Sequence, residues 1–579
     1  MSRRLTRRAF VGGAAAASVG TVAAGTLAVF ATRPEDDPAA PASTATTEPA
    51  PSTAPSASPQ APVSPKQGGA QHILAPGRID PDTFDAQLTG ESTTIEILGR
   101  THSRLLNWDP GKPGHLTNDL VQRFEQPDDL TLVLHLDPKA RWHGRPPLDG
   151  RPLVAADVVK HLQRALAIAE GGKSPLAQRY HDYAGIASVD SPGEGQVRIR
   201  LEAPNPRFLG VLAGEFALVQ APEAVEAFAA LWPKLDSDHV IGTGPWLFDW
   251  SDRGAKFAAF RDGHRAPWLD ELVVADPHDP AGRFVSTAVQ EAIVRDRRDA
   301  AAIAAHFPVV DAPGTLDSLE LQRAVTRGEV FVSRRFEREI VMSSFFVGAP
   351  PWNNPELLVL ISAALNRHEL ARRLFGGRAT PSGPLPPALG GSISAERLKF
   401  IPGYAFLDDY RPDPALKQRW QAAGGPGLGP VTVDFPSVFD PRYSASSIVI
   451  DMLNEALGPQ FRPAVETYTT ISRRVVEGYY GNGRAAFWFG WGAPLPSPLP
   501  ADYFAETYAP GSPGQRVTGG SGVGGSGQDD LVKLAERGFS GIVPWVQQYA
   551  EVYRAASAYG PAPSPFWGQH ADIERVSFA

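Results

Sequence analysis

The chain has 579 residues, 42% hydrophobic and 20% charged, enough for roughly three domains at about 150 residues each. Its formal net charge of −8 becomes −12 once the four arginines of the first 31 residues are set aside, which argues against nucleic acid or anionic lipid as a partner. Cysteine is absent, and this excludes disulfides, thiolate metal sites, a cysteine nucleophile and a lipidated cysteine tether.

Residues 1–31 read as a targeting segment. Arg3, Arg4, Arg7 and Arg8 give a basic start, and Ala9 to Ala31 is an uncharged run rich in Ala, Gly and Val. Thr6-Arg7-Arg8-Ala9-Phe10-Val11 resembles the twin-arginine export signature. Cleavage after Ala31 and retention of the run as an anchor are both compatible with its length, since about 20 apolar residues span a bilayer. The protein is therefore expected outside the cytoplasmic membrane, touching a membrane only through this segment. Residues 32–66 follow as a linker: Pro34 to Lys66 holds nine prolines among Ala, Ser and Thr, a composition that cannot bury a core. Extended at ~3.1 Å per residue it reaches about 100 Å.

From Gln67 the pattern is globular. Leu130 to Leu136 alternates with period two and predicts a half-buried strand, as does Gln196 to Ala203 with Val197, Ile199 and Leu201 on one face. Between them a helix carries Val158, Leu162, Ala165 and Ala169 on one stripe. Strand, helix and strand recur, so an α/β class is favoured. Gly242-Thr243-Gly244-Pro245-Trp246 reads as a tight turn, with glycines that permit positive φ. Asn354 to Gly377 predicts one long helix, capped by Asn354, opened by Pro355 and stopped by Gly376 and Gly377. Phe487 to Pro498 places two tryptophans, two phenylalanines and three prolines in twelve uncharged residues. Two closing helices are predicted, over Asp529 to Phe539 and from Pro544 to Gly560.

Signals for chemistry are thin. His368-Glu369 lacks a second histidine four positions after the first, so the metalloprotease pair is missing, and the thirteen histidines show no ligand spacing. Gly520 to Gly525 fits G-x-G-x-x-G formally, but a turn-forming stretch precedes it where a dinucleotide fold needs a strand. The acid pairs Asp408-Asp409 and Asp529-Asp530 are adjacent, so in regular structure they point apart. No catalytic residue, metal or cofactor is expected.

Five segments in order resemble the family 5 solute-binding proteins of ABC importers, the oligopeptide, dipeptide and nickel type, from about Gln67 to Phe578. They are the segment Phe84 to Asp109, with Ala86 where a proline is usual, and Leu130 to Leu166, with Trp142-His143, Gly150 and Asp157-Val158. The Gly242 to Trp246 turn is the third. The Asn354 helix keeps Ala364, Leu365 and Arg367 but has Ser362 and Asn366 where Arg and Asp are common. The fifth is Ala485 to Trp491 with Pro500 to Tyr508. The resemblance implies a periplasmic-binding-protein-like type II clamp: two α/β lobes plus an inserted third domain. In that reading 67–105, 236–340 and 520–579 form lobe I, 106–235 the family-specific subdomain, and 341–519 lobe II.

The same resemblance implies a monomeric carrier, not an enzyme, that binds a peptide or peptide-like molecule between its lobes and delivers it to ABC permease subunits. By match, Gly490, Trp491 and Gly492 fall at the cleft, with Trp488 and Trp246 nearby and Glu91 and Ser92 on the first cleft loop. Both Trp488 and Trp491 also fit a core role on residue type alone. Peptide-binding members carry an Asp three residues past the cleft Trp, where this chain has Pro494. Asp502 or Glu506 could replace it from downstream. Otherwise the ligand lacks a free amino terminus, as a blocked peptide or a sugar stacked on the tryptophans would. A surface-tethered sensor or structural module of the same fold is the alternative.

Overall fold

The computed structural model describes residues 67–559 and 577–578, apart from short stretches of which the longest are 172–182, 438–444 and 490–498. The targeting segment and the linker lie outside the described residues. All described residues fall in one compact unit, and within it two bodies with separate hydrophobic cores can be traced.

In the first body, Ala70–Leu74 lies between Glu271–Ala275 and Glu291–Val294 and runs parallel to both. Alternation sends Ile73 into the apolar cluster on one face and Leu74 into the cluster on the other, as a strand covered on both sides requires. Gly254–Ala259 and Trp246–Ser251 extend this sheet antiparallel to its edge. A second sheet is fully antiparallel, in the order Val121–Asp128, Thr131–Leu136, Gln196–Leu201, Ile186–Gly193. Leu132, Leu134, Val197 and Ile199 point inward, and the helix Ala155–Gly171 covers them with Val158, Leu162 and Ala165. This inserted sheet shares its core with the first body.

The joint between them uses the motifs that stand out in the sequence. The backbones of Gly242 and Gly244 are not at positive φ, contrary to the turn reading. What requires glycine is closeness: a Cβ on Gly242 would sit 2.0 Å from the Thr101 carbonyl oxygen, and one on Gly244 2.7 Å from that of Arg100. His143 threads this crossing. Its Nδ1 accepts the Gly242 N–H at 3.3 Å, so Nε2 carries the proton it donates to the Gly244 carbonyl at 3.0 Å. Next to it the Trp142 indole donates to Asp157 at 3.1 Å, and Arg151 forks onto the same carboxylate. Trp142-His143 and Asp157 are therefore a clasp, made of fold contacts.

The second body has one core running from Ile340 to Val546. The long helix predicted from Asn354 is two helices, Pro355–Ala364 and Arg367–Phe375, because Leu365 and Asn366 leave helical geometry and Asn366 caps the second through the Glu369 N–H. Gly376 and Gly377, both at positive φ, end it as expected. Gln528–Glu536 is the first of the predicted closing helices.

The second closing helix is a strand. Ile542–Ala555 is buried along nearly its whole length and belongs to both bodies. Its first half pairs with Val341–Phe345 and Ala379–Pro381 of the second body, its second half with Glu291–Val294 and Val330–Phe336 of the first. One continuous sheet thus crosses from Phe461–Glu466 at one edge to Trp246–Ser251 at the other. Val523 to Val546, which the sequence groups with lobe I, pack in the second core. No described helix is long and apolar enough to cross a membrane.

Candidate functional site

Three strands of the second body point their carboxyl ends the same way. Val431–Pro436 runs parallel to both Phe461–Glu466 and Ala485–Phe489. Crevices outside such ends are where ligands collect in open α/β sheets. Gly490, Trp491 and Gly492 follow Phe489 directly and lie outside the described residues, as does Glu91. Trp488 stands in the strand opposite Met342. Ser92 is the first residue of the helix Ser92–Thr101. Trp246 is fully buried in the first core, with an indole N–H that has no hydrogen-bond partner among the described residues.

Near the strand ends a charged cluster ties the chain down. Asp434 is completely buried and accepts from Arg474 at 2.7 Å and from the Tyr480 hydroxyl at 3.0 Å, while Arg474 also donates to Glu466 at 2.8 Å. Burial works against the Arg474 charge, but the Glu466 and Asp434 carboxylates outweigh it and hold the guanidinium above its ordinary range. Burial, and then the Asp434 carboxylate, push the Tyr480 hydroxyl up, so it remains a donor. Such a matched set is rigid, and it fixes Val431–Pro436 to the segment that follows Phe461–Glu466.

The helix Pro500–Tyr508 brings the downstream acids in. Pro500 takes the first helical position, Asp502 sits favourably in the first turn, and Tyr503, Phe504 and Tyr508 anchor the helix in the second core. Asp502 and Glu506, four residues apart on one face, are both buried. Glu506 faces the other body: its Oε1 lies 3.6 Å from Nη1 of Arg207, with 2% of the Glu506 side chain exposed and 22% of Arg207. Leu499, just before the helix, meets the first body too, its Cδ2 3.1 Å from where a Cβ on Gly114 would stand. Sequence reasoning finds Glu506 but not Arg207, because only the fold brings the two together.

Other buried charges serve the first body. Asp119 accepts from His264 at 2.9 Å and from the Arg104 N–H at 2.9 Å, with Arg265 3.2 Å away. Although burial opposes its charge, Arg265 and His264 hold Asp119 below the ordinary carboxylate range. Burial holds His102 and His161 down to about 3 and His143 to about 4, so all three are neutral. Among the described residues no group of His, Cys, Asp and Glu is arranged to hold a metal ion.

Comparison with known proteins fits this geometry. The model of the bacterial extracellular solute-binding proteins, family 5 (Middle), matches residues 115–511. A putative ABC transporter peptide-binding protein of Brucella ovis is 29% identical over 285 residues, 46% of each chain. The chain thus spans about half the length of that curated relative. The glutathione-binding protein GsiB of Escherichia coli O1:K1 is 25% identical over 395 residues, 65% of this chain and 67% of GsiB. Among solved structures, the binding protein AgaA from A. tumefaciens R10 in complex with agropinic acid superposes with a TM-score of 0.65 at 17% identity, over 88% of this chain and 99% of AgaA. DppA of Helicobacter pylori in complex with the peptide STSA gives 0.61 at 16%, over 89% and 99%.

Proposed function

The chain belongs to family 5 of the bacterial extracellular solute-binding proteins, and from that premise we propose that it is the exported receptor of an ABC importer. It closes two α/β bodies on a peptide or peptide-like solute and presents the closed form to the permease. One observation carries this reading. The strand Ile542–Ala555 is common to two separately cored bodies, and away from it the bodies meet where Arg207 faces Glu506 and where the Leu499 side chain lies against the Gly114 backbone. A pair of bodies joined in this way can hinge, and a ligand that contacts both faces favours closure by its differential affinity.

The ligand class draws support from the relatives, named for peptides and glutathione, and from structural neighbours solved with a peptide and with agropinic acid. In this reading Gly490, Trp491 and Gly492 form one wall of the cleft, Trp488 backs it, and Glu91 and Ser92 face it from the first body. Residues 1–31 serve export and 32–66 space the carrier from the membrane. Lobe I is 67–105 with 236–340, the inserted subdomain 106–235, and lobe II runs from 341 into Ile542–Ala555, where the chain returns to lobe I. In this reading the protein carries its solute and does not turn it over.

Native mass spectrometry of the freshly purified protein tests this directly. A noncovalent adduct that disappears on denaturation, with the mass of a short peptide or an amino-acid conjugate, is the expected result. An empty protein that pooled peptides at millimolar concentration do not stabilise against heat would overturn the transport reading in favour of a sensor or structural module. A captured sugar would overturn the ligand class alone.

A further inference from the structure

Resting on the clamp reading above, we propose that Arg207 and Glu506 form a closure latch, an ion pair between the inserted subdomain and the second body that favours the closed arrangement before any solute is bound.

Each partner is fixed to a different body. Arg207 immediately precedes the helix Phe208–Leu212, whose Phe208, Val211 and Leu212 are buried in the first core, and its own N–H donates to Asn205 at 3.1 Å. Glu506 rides on Pro500–Tyr508, which Tyr503, Phe504 and Tyr508 lock into the second core. Neither residue can follow the other if the bodies separate.

The electrostatics favour the closed side. With 2% of its side chain exposed, Glu506 is shielded from water where it stands, and a carboxylate so placed is tolerated when an opposite charge faces it. The separation of 3.6 Å is within ion-pair range but beyond a charge-assisted hydrogen bond of about 2.7–2.9 Å. Further closure therefore shortens the pair and strengthens it, while opening separates the charges. The Leu499 side chain packed at Gly114 adds an apolar contact on the same side of the gap. The helix Pro500–Tyr508 with the residue before it is thus the plate on which the subdomain docks, and the latch is its charged component.

Because the chain has no cysteine, dyes can be placed cleanly through Asp238→Cys and Lys417→Cys, exposed sites on the first and second bodies. Single-molecule energy transfer on the unliganded protein then reads the closed population. Arg207→Gln and Glu506→Gln are each expected to lower the closed-to-open ratio about tenfold, the doubly substituted protein no further, and the swapped pair Arg207→Glu with Glu506→Arg to restore most of it. Leu499→Ala should lower the ratio while leaving the coupling between Arg207 and Glu506 intact. Single variants with the wild-type ratio, or losses that simply add in the double variant, would overturn the latch. The solute test above is independent: a captured peptide with no latch coupling removes only the latch, and a coupled latch in a protein that captures nothing removes only the transport reading.

Discussion

Replacing Arg367 tests how the second body is held to the crossing strand. Its guanidinium is completely buried, and among the described residues its hydrogen-bond partners include no carboxylate. Nε and Nη2 donate to the Pro544 carbonyl at 2.9 and 2.7 Å, Nη1 to the carbonyls of Ser362 and Leu365 at 2.8 and 3.2 Å, and Nη2 also to the Ser362 hydroxyl at 2.8 Å. The ring of Phe406 lies 3.6 Å from its central carbon. One side chain thus satisfies the end of one helix, caps the gap before the next, and grips the strand beside the point where its pairing with Val341–Phe345 shifts register. Arg367→Met fills much of the space but takes the guanidinium from the Pro544 and Leu365 carbonyls and the Ser362 hydroxyl at about 1 kcal/mol each, the Ser362 carbonyl keeping the Leu365 N–H, and forfeits a cation–π contact of about 1–2 kcal/mol. Against this, methionine removes the desolvation burden that pulls the guanidinium down to about 9. That relief offsets part of a loss of about 4–5 kcal/mol, and a net destabilisation of about 3 kcal/mol is expected. For a body of roughly 200 residues that is a fall in Tm of about 6–10 °C. Urea unfolding followed by tryptophan fluorescence measures it. Arg367→Lys should recover only part of the loss, since an ammonium cannot fork across three segments. A methionine variant within 1 kcal/mol of wild type would refute the reasoning.

Acid should loosen the first body before the carboxylates titrate. His102, His143 and His161 have folded values of about 3, 4 and 3, below the ordinary 6.5, because burial disfavours the imidazolium. The unfolded chain therefore takes up protons first. Stability is full above pH 6.5 and falls as pH drops from there toward about 4, by up to about 1.4 kcal/mol per pH unit for each histidine. Melting temperatures from pH 7.5 to 4.5 should show this slope, and His161→Gln should make it shallower; a flat profile between pH 7 and 5 contradicts it. Gly242→Ala should abolish soluble protein or cost more than about 3 kcal/mol, because its Cβ meets the Thr101 carbonyl at 2.0 Å with no flexible atom to yield. A soluble variant with wild-type unfolding would show that the crossing can open.

Elements covered on one face were legible in the sequence. Thr131–Leu136 and Gln196–Leu201 alternate because only one side of their sheet is buried, and Ala155–Gly171 shows a stripe because only one side of the helix is. Ile542–Ala555 reads as a helix for the opposite reason. A strand covered on both faces has no alternation to display, and Val543, Val546, Ala550 and Tyr553 happen to fall at helical spacing. Within the Asn354 helix, Asn366 gave no break signal of its own. It caps the second helix through the Glu369 N–H, next to Arg367, whose guanidinium reaches the Pro544 carbonyl. Of the cleft, Glu506 was legible as an acid downstream of Pro494. Its partner was not, since a lone arginine in a proline-flanked loop carries no pattern.

The pair at the gap also constrains what can bind there. A carboxylate as buried as Glu506 needs positive charge beside it in every arrangement that keeps it from water. If a zwitterionic solute binds at this gap, its ammonium can stand beside Glu506 in the place of Arg207 and its carboxylate can face the displaced guanidinium, 22% of whose side chain is already exposed. A neutral solute offers neither exchange and must leave the pair whole. Zwitterions and neutral molecules therefore respond oppositely to the swapped pair Arg207→Glu with Glu506→Arg. The swap inverts the charges a zwitterion would meet and weakens its binding, whereas a neutral ligand sees the same latch with its ends exchanged and binds as before.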